Sequence, residues 1–167
     1  MNIEKLKENM ENSNIRLTQL KNKDQEDYFN LISDKDIVDY YIGLYADNEK
    51  DYQELLSDPN SKIYGVYGKK FNDELIGVIS LQNCFYKNAC ELSFFVGKKF
   101  RSKGIGNEVA ELLIKDLKEC DINRVILATP ESNIPATKII NNKMNVSEKH
   151  KYEDDYEEEE IIYVVEL

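Results

Sequence analysis

Apolar side chains recur at two spacings along this chain, and each spacing predicts an element. Ile15 and Leu17 alternate with Arg16 and Thr18, so residues 15–20 predict a first strand. Asp24 is a candidate N-cap before a helical face of Tyr28, Leu31 and Ile32, and a second face follows at Ile37, Val38, Tyr41 and Ile42. Tyr52, Leu55 and Leu56 predict a short helix ending at Asp58-Pro59, because the residue before a proline avoids the helical region. From Lys62 the period becomes two. Residues 63–69 and 75–82 predict a hairpin turning at Asn72-Asp73, and 89–96 a third strand of the same meander after Lys87-Asn88. A polar loop, 97–106, then leads into a stripe of Val109, Leu112, Leu113, Leu117 and Cys120, the spacing of one helix face. The apolar run 124–129, closed by Pro130, suits a strand buried on both faces after a βα crossover. A helix is expected near Pro135 carrying Ile139 and Ile140, with Asn142 as its candidate left-handed terminator. Residues 144–152 and 161–167 read as closing strands. Residues 1–14 are polar apart from Ile3, Leu6 and Met10, which suit either a short amphipathic turn or a frayed end. The expected organisation is an N-terminal extension, 1–14, followed by a single α/β domain over 15–167.

Composition narrows the function. The 167 residues carry 22 basic and 32 acidic side chains, a formal charge of −10. That balance disfavours nucleic acid, whose binding rests on neutralising phosphates, and suits a cationic partner. Apolar stretches such as 161–165 are far shorter than the roughly 20 residues of a spanning helix, so no membrane partner is expected. The first residues hold no apolar signal core. Cys84, Cys90 and Cys120 are an odd set without metal-ligand spacing and read as reduced thiols of a cytoplasmic protein without a metal. A lone histidine, His150, argues against a serine triad and reads as a surface strand residue. Cationic residues are mostly lysine, a bias associated with AT-rich bacterial genomes.

The chemistry concentrates in Arg101-Ser102-Lys103-Gly104-Ile105-Gly106, between a strand and a helix. A helix start leaves several N–H groups unpaired at the positive end of its dipole. Two glycines remove bulk that would hold a phosphate away, and consecutive N–H groups can wrap a diphosphate. Arg101 and Lys103 add positive charge. The competing reading is a glycine turn with solvated lysines. No Gly-x4-Gly-Lys-Ser/Thr string exists, and Gly104-Ile-Gly106 lacks the third small residue of the dinucleotide fingerprint.

Arg101-x-x-Gly104-x-Gly106 resembles the acyl-CoA loop, Arg/Gln-x-x-Gly-x-Gly/Ala, of the Gcn5-related (GNAT) acetyltransferases. Residues 91–97 resemble the family's fourth strand and 124–129 its fifth, and Asn133-Ile-Pro-Ala136 resembles the start of its Asn-x-x-Ala/Ser segment. The element order follows the family from Ile15 onward. The resemblance implies a mixed, mostly antiparallel sheet flanked by helices, with the fourth and fifth strands parallel and splayed. It implies acetyl-CoA as cosubstrate and direct transfer to an amine. Backbone around Phe95, Val96 and Gly97 would hold the pantetheine arm and polarise the thioester. Amides from Ser102 through Lys103, Gly104, Ile105, Gly106 and Asn107, beside Arg101, would hold the diphosphate. Asn133 would contact pantetheine, although a plain helix cap explains it equally well.

An ammonium acceptor of pKa about 10.4 must lose a proton before it attacks. Glu91 lies where several family members place a glutamate base, and burial beside Phe94 and Phe95 would suit it to that task. A solvated strand-end glutamate is the other reading. The family's proton-donating tyrosine falls on Ile140, and its Gly-Phe on Met144-Asn145, so no general acid is named. The acidic run 153–160 would attract a cationic acceptor, or is simply a solvated hairpin tip. Tyr40, Tyr41 and Tyr45 suit an acceptor wall or ordinary core packing. The expected acceptor is a small cationic amine. A peptide acceptor and a non-catalytic acyl-CoA-binding module are the rivals, and a homodimer is allowed.

Overall fold

Alternating apolar side chains give the sheet two buried faces, and each face takes its own helices. The computed structural model describes residues 2–33, 45–153 and 159–167. The face expected at Ile37, Val38, Tyr41 and Ile42, together with Tyr40 and residues 154–158, lies outside the described residues. Eight strands are described: β1 (Asn9–Glu11), β2 (Ile15–Gln19), β3 (Ser61–Gly68), β4 (Glu74–Asn83), β5 (Ala89–Val96), β6 (Arg124–Pro130), β7 (Asn145–Glu153) and β8 (Glu159–Glu166). The described helices are α1 (Gln25–Ile32), α2 (Glu49–Ser57), α3 (Ile105–Glu119) and α4 (Ile134–Lys143). Strand order is β1-β2-β3-β4-β5-β6-β8-β7. All neighbours are antiparallel except β5 and β6, which are parallel.

Turn chemistry sets the meander. Asn72 and Asp73 both sit at positive φ (54° and 59°), a conformation that asparagine and aspartate tolerate through short local hydrogen bonds. Asn88 does the same between β4 and β5, at φ 56°. On one face α3, α4 and the N-terminal segment cover a core that includes Ile79, Leu92, Val109, Leu113, Leu117 and Tyr163. On the other, Tyr28 of α1 and Tyr52 of α2 pack with Val78 and Phe95.

Local details depart from the sequence expectation in three places. Asp24 does stand at the N-cap of α1, but its carboxylate makes no bond to the helix amides. It accepts instead from the Lys21 N–H (2.9 Å) and the Tyr67 hydroxyl (3.0 Å), so a sheet residue won the competition for it. Asn142 does not terminate α4 in a left-handed conformation; the helix runs to Lys143 and leaves through extended Met144 (φ −115°). Residues 2–11 add a 3-10 turn and the short β1. Ile3, Leu6 and Met10 enter the main core, and Met10 pairs with Leu17.

Polar bonds fix this N-terminal strap to α3. Asp116, only 2% exposed, accepts from the Lys7 N–H at 3.0 Å and holds the Lys7 ammonium 3.1 Å from its other oxygen. A buried carboxylate needs such partners, since an unpaired charge in the interior is costly. Glu119 first, then Asp116, raises the Lys7 ammonium above its ordinary pKa.

All three cysteines are buried thiols, and burial pushes Cys90 up to about 12. Among the described residues no helix is long and apolar enough to cross a membrane.

Because Leu6 is buried in the main core, Leu6→Ala should cost about 2–5 kcal/mol of unfolding free energy. Urea denaturation of the full chain measures this. A midpoint equal to wild type would show that the strap is peripheral.

Candidate functional site: a cationic cavity at the parting of two strands

The parallel ladder between β5 and β6 is short. Ala89 pairs with Arg124, Cys90 with Val125 and Glu91 with Ile126, and there the pairing ends. Each strand keeps its other partner: β4 follows β5 to Val96, and β8 follows β6 to Pro130. The strands therefore diverge beyond Glu91 and Ile126 while remaining rigid.

One bond tells which main-chain groups face the gap. Gly97 N–H donates to the Ile76 carbonyl of β4 at 2.9 Å. Successive residues of an antiparallel strand turn their polar groups to opposite sides. Phe95 and Gly97 therefore point their main chain at β4, and Phe94 and Val96 point theirs into the gap. The Val96 carbonyl accepts from Arg101 Nε at 2.9 Å, which ties the following loop to the strand end and leaves the Val96 N–H facing the opening. Of the expected Phe95–Gly97 stretch, Val96 presents its main chain to the gap and Phe95 also lines the cavity there, whereas Gly97 is not among the lining residues.

The loop delivers more donors. Ser102 (φ 59°) and Gly104 (φ 80°) are left-handed, with Lys103 between them on the ordinary side. Such alternation turns successive N–H groups to one side as an anion-binding nest. Among the described residues the amides of Ser102 through Gly106 donate to no backbone carbonyl, whereas the Asn107 N–H goes to the Gly104 carbonyl at 3.1 Å. The nest thus spans 102–106, and Asn107 reaches the cavity only with other atoms. Gly104, the N-cap of α3, has nothing within 4 Å of where a Cβ would stand, so its positive φ and not space demands glycine. At Gly106 a Cβ would stand 2.8 Å from Ile139 Cδ1, so glycine there lets α4 approach α3.

Strand end, loop and α4 enclose a cavity of about 810 Å³. Phe94, Val96, Phe100, Ile105 and Ile139 make its apolar walls. Among the described residues its ionisable lining side chains are Arg101, Lys138 and Lys143, all cationic, in a chain of net charge −10. Lys103 is exposed beside the loop. Asn133 also lines the cavity while capping α4: its Oδ1 accepts from the Ala136 N–H at 3.4 Å, and its Nδ2 has no partner among the described residues. Both readings of Asn133 are therefore compatible with its place.

Other expected residues stand apart. Glu91 sits at the vertex of the splay, exposed, on the side of the sheet that Phe95 faces, while Phe94 packs on the opposite side. The expected burial between the two phenylalanines does not occur, because adjacent strand residues alternate faces. Ile140 is 4% exposed in the main core, so no hydroxyl stands there. His150 is exposed on β7 beside Glu148. Tyr45 is exposed. The next residue, Ala46, donates its N–H to the buried Tyr28 hydroxyl at 2.8 Å; burial, more than any other influence, pushes that hydroxyl up to about 12. Lys138 and Lys143 were invisible to sequence reasoning, since only their place on α4 brings them to the cavity. No group of three or more His, Cys, Asp or Glu among the described residues is placed to hold a metal ion.

Solved structures share this architecture. The chain is similar to a GNAT-family acetyltransferase from Bacillus anthracis, with a TM-score of 0.78 at 19% identity over 95% of this chain and 98% of that one. It is similar to RimL, a ribosomal L7/L12 alpha-N-protein acetyltransferase, with a TM-score of 0.75 at 14% identity over 95% of each chain. It is also similar to a GCN5-related N-acetyltransferase from Brucella melitensis, with a TM-score of 0.73 at 11% identity over 95% of this chain and 78% of that one. No curated protein matches the sequence. The model of the acetyltransferase (GNAT) family matches residues 18–143, which take in the splayed strands, the glycine loop and α4, and the chain belongs to that family.

Proposed function

We propose that the protein transfers the acetyl group of acetyl-CoA directly to the primary amine of a small cationic acceptor. The observation that carries this reading is the cavity itself: an amide nest at 102–106 beside lining side chains whose charges, among the described residues, are all positive. A diphosphate satisfies both features. The apolar walls suit the pantetheine arm, and Asn133 Nδ2 is a donor for one of its carbonyls.

At the gap, the Val96 N–H meets the thioester oxygen. As the amine attacks, negative charge grows on that oxygen, and a fixed donor there is worth about 3 kcal/mol. Glu91, at the vertex, is the proposed base; being exposed, it takes the acceptor's proton through water. With Ile140 in the core, the departing thiolate, whose conjugate thiol has a pKa of about 8.5 by analogy with cysteine, is protonated from solvent. The net acidity of the chain, including the run 153–160, draws a cationic amine toward the molecule.

Thiol release from acetyl-CoA, measured across polyamines, aminoglycosides, amino acids and basic peptides, tests the whole reading. Turnover with small amines supports it. Turnover with peptides alone replaces the acceptor. If acetyl-CoA raises the melting temperature but no amine releases thiol, the protein binds acyl-CoA without catalysis.

Gly104→Val and Gly106→Val should each weaken acetyl-CoA binding by about a hundredfold, the first by straining φ and the second by pushing α4 off α3. Calorimetric titration measures this, and wild-type affinity in both would remove the diphosphate from the loop. Glu91→Gln should lower kcat by roughly 10²-fold or more with acetyl-CoA affinity unchanged, as steady-state rates with the best amine will report. Undiminished turnover would assign the proton to another group.

A further inference from the structure

We propose that Asn12, Asn14 and Glu108 form a brace that holds the amide nest in the position that binds the diphosphate, with the two asparagines as positioning residues for acetyl-CoA. This rests on the diphosphate reading above and adds what sets its geometry.

Glu108 is the fourth residue of α3, one turn from the nest, and it is half-buried outside the cavity lining. A carboxylate in the first turn is drawn to the positive end of the helix, where it would oppose a bound anion. Here both of its oxygens accept from the turn between β1 and β2. Asn12 Nδ2 donates to Oε2 at 2.9 Å, and Asn14 Nδ2 reaches Oε1 and Oε2 at 3.2 and 3.1 Å.

The asparagines are themselves fixed. Asn12 Oδ1 accepts from the Asn14 N–H (2.8 Å) and the Ile15 N–H (2.9 Å), so its amide can present only the Nδ2 side to Glu108. The turn between β1 and β2 is anchored by the residue that follows β3: the Lys69 N–H donates to the Asn14 carbonyl at 2.9 Å and the Lys69 ammonium to the Asn12 carbonyl at 2.7 Å. At the far end of the brace, the main-chain N–H of Glu108 donates to the Gly104 carbonyl at 3.3 Å. The sheet thus reaches the N-cap of α3 through one continuous set of bonds. Asn12 and Asn14 precede the stretch that the family model matches, 18–143, and Glu108 lies within it.

Charge alone and the brace predict opposite signs. Removing a negative charge near a diphosphate should tighten binding by simple electrostatics. Removing the brace should weaken it. Calorimetric titration of the full-length protein with acetyl-CoA decides, using wild type, Glu108→Gln, the double variant Asn12→Ala/Asn14→Ala, and the triple combination.

The expected result is an increase in Kd of about tenfold for Glu108→Gln and for the double variant, from the loss of hydrogen bonds to a charged group. The triple variant should bind no worse than either, since all three residues act as one unit. A purely structural role would lower the melting temperature but leave the affinity of the folded protein at the wild-type value. That outcome overturns the proposal, as do tighter binding by Glu108→Gln and additive losses in the triple variant. Failure of wild type to bind acetyl-CoA would remove the diphosphate reading and the brace with it. Wild-type binding with unaltered variants would remove the brace alone.

Discussion

The site depends on a hydrogen-bonded ladder that stops early. Three residue pairs join β5 to β6, and beyond Glu91 and Ile126 the strands part. Unpaired main-chain groups inside a protein are costly, so a sheet that opens must hold its strands from outside and give the exposed groups other partners. Here β4 and β8 do the holding, and Arg101 takes the carbonyl of Val96. The remaining donors, Val96 N–H and the amides of 102–106, are arranged along one path from the gap to the start of α3. Local sequence chemistry and tertiary architecture meet there: the glycines shape the path, and the parting of the strands exposes it.

Much of this was legible in the sequence because it is written in local rules. The alternation at 63–69, 75–82 and 89–96, the stripe from Val109 to Leu117 and the Arg101–Gly106 loop all found their elements within a residue or two. The illegible parts depend on distant partners. β1 is three residues long with one apolar side chain, and nothing within it predicts pairing; Met10 becomes a strand residue because Leu17 and the core of α3 receive it. The burial of Asp116 is equally hidden, since a carboxylate on a helix reads as solvated until Lys7 arrives from 109 residues away. Glu91 shows the reverse. Phenylalanines follow it three and four positions on, but the pleat sends them to different faces and leaves the carboxylate in solvent.

The same pleat divides labour across the sheet. Arg101, Lys138 and Lys143 lie with α3 and α4 on one side, Tyr28 and Tyr52 pack on the other, and Phe95 serves both, packing with the tyrosines and lining the cavity. A positive cavity in an acidic protein persists because these cations stand on the loop and α4, with no carboxylate among the described side chains lining the space they share. Ile140 on α4 fits this economy of polar groups: it is buried in the main core and asks for no hydrogen-bond partner.

The long reach of the N-terminal strap has a consequence for how the chain is made. Residues 2–11 leave the ribosome well before their partners on α3, which follow only after roughly a hundred further residues, a delay of about 5–20 s at common synthesis rates. Until then Ile3, Leu6 and Met10 have no helix to cover. A segment translated early thus docks late, and the nascent protein completes its glycine loop and α3 before the clasp that secures them can close.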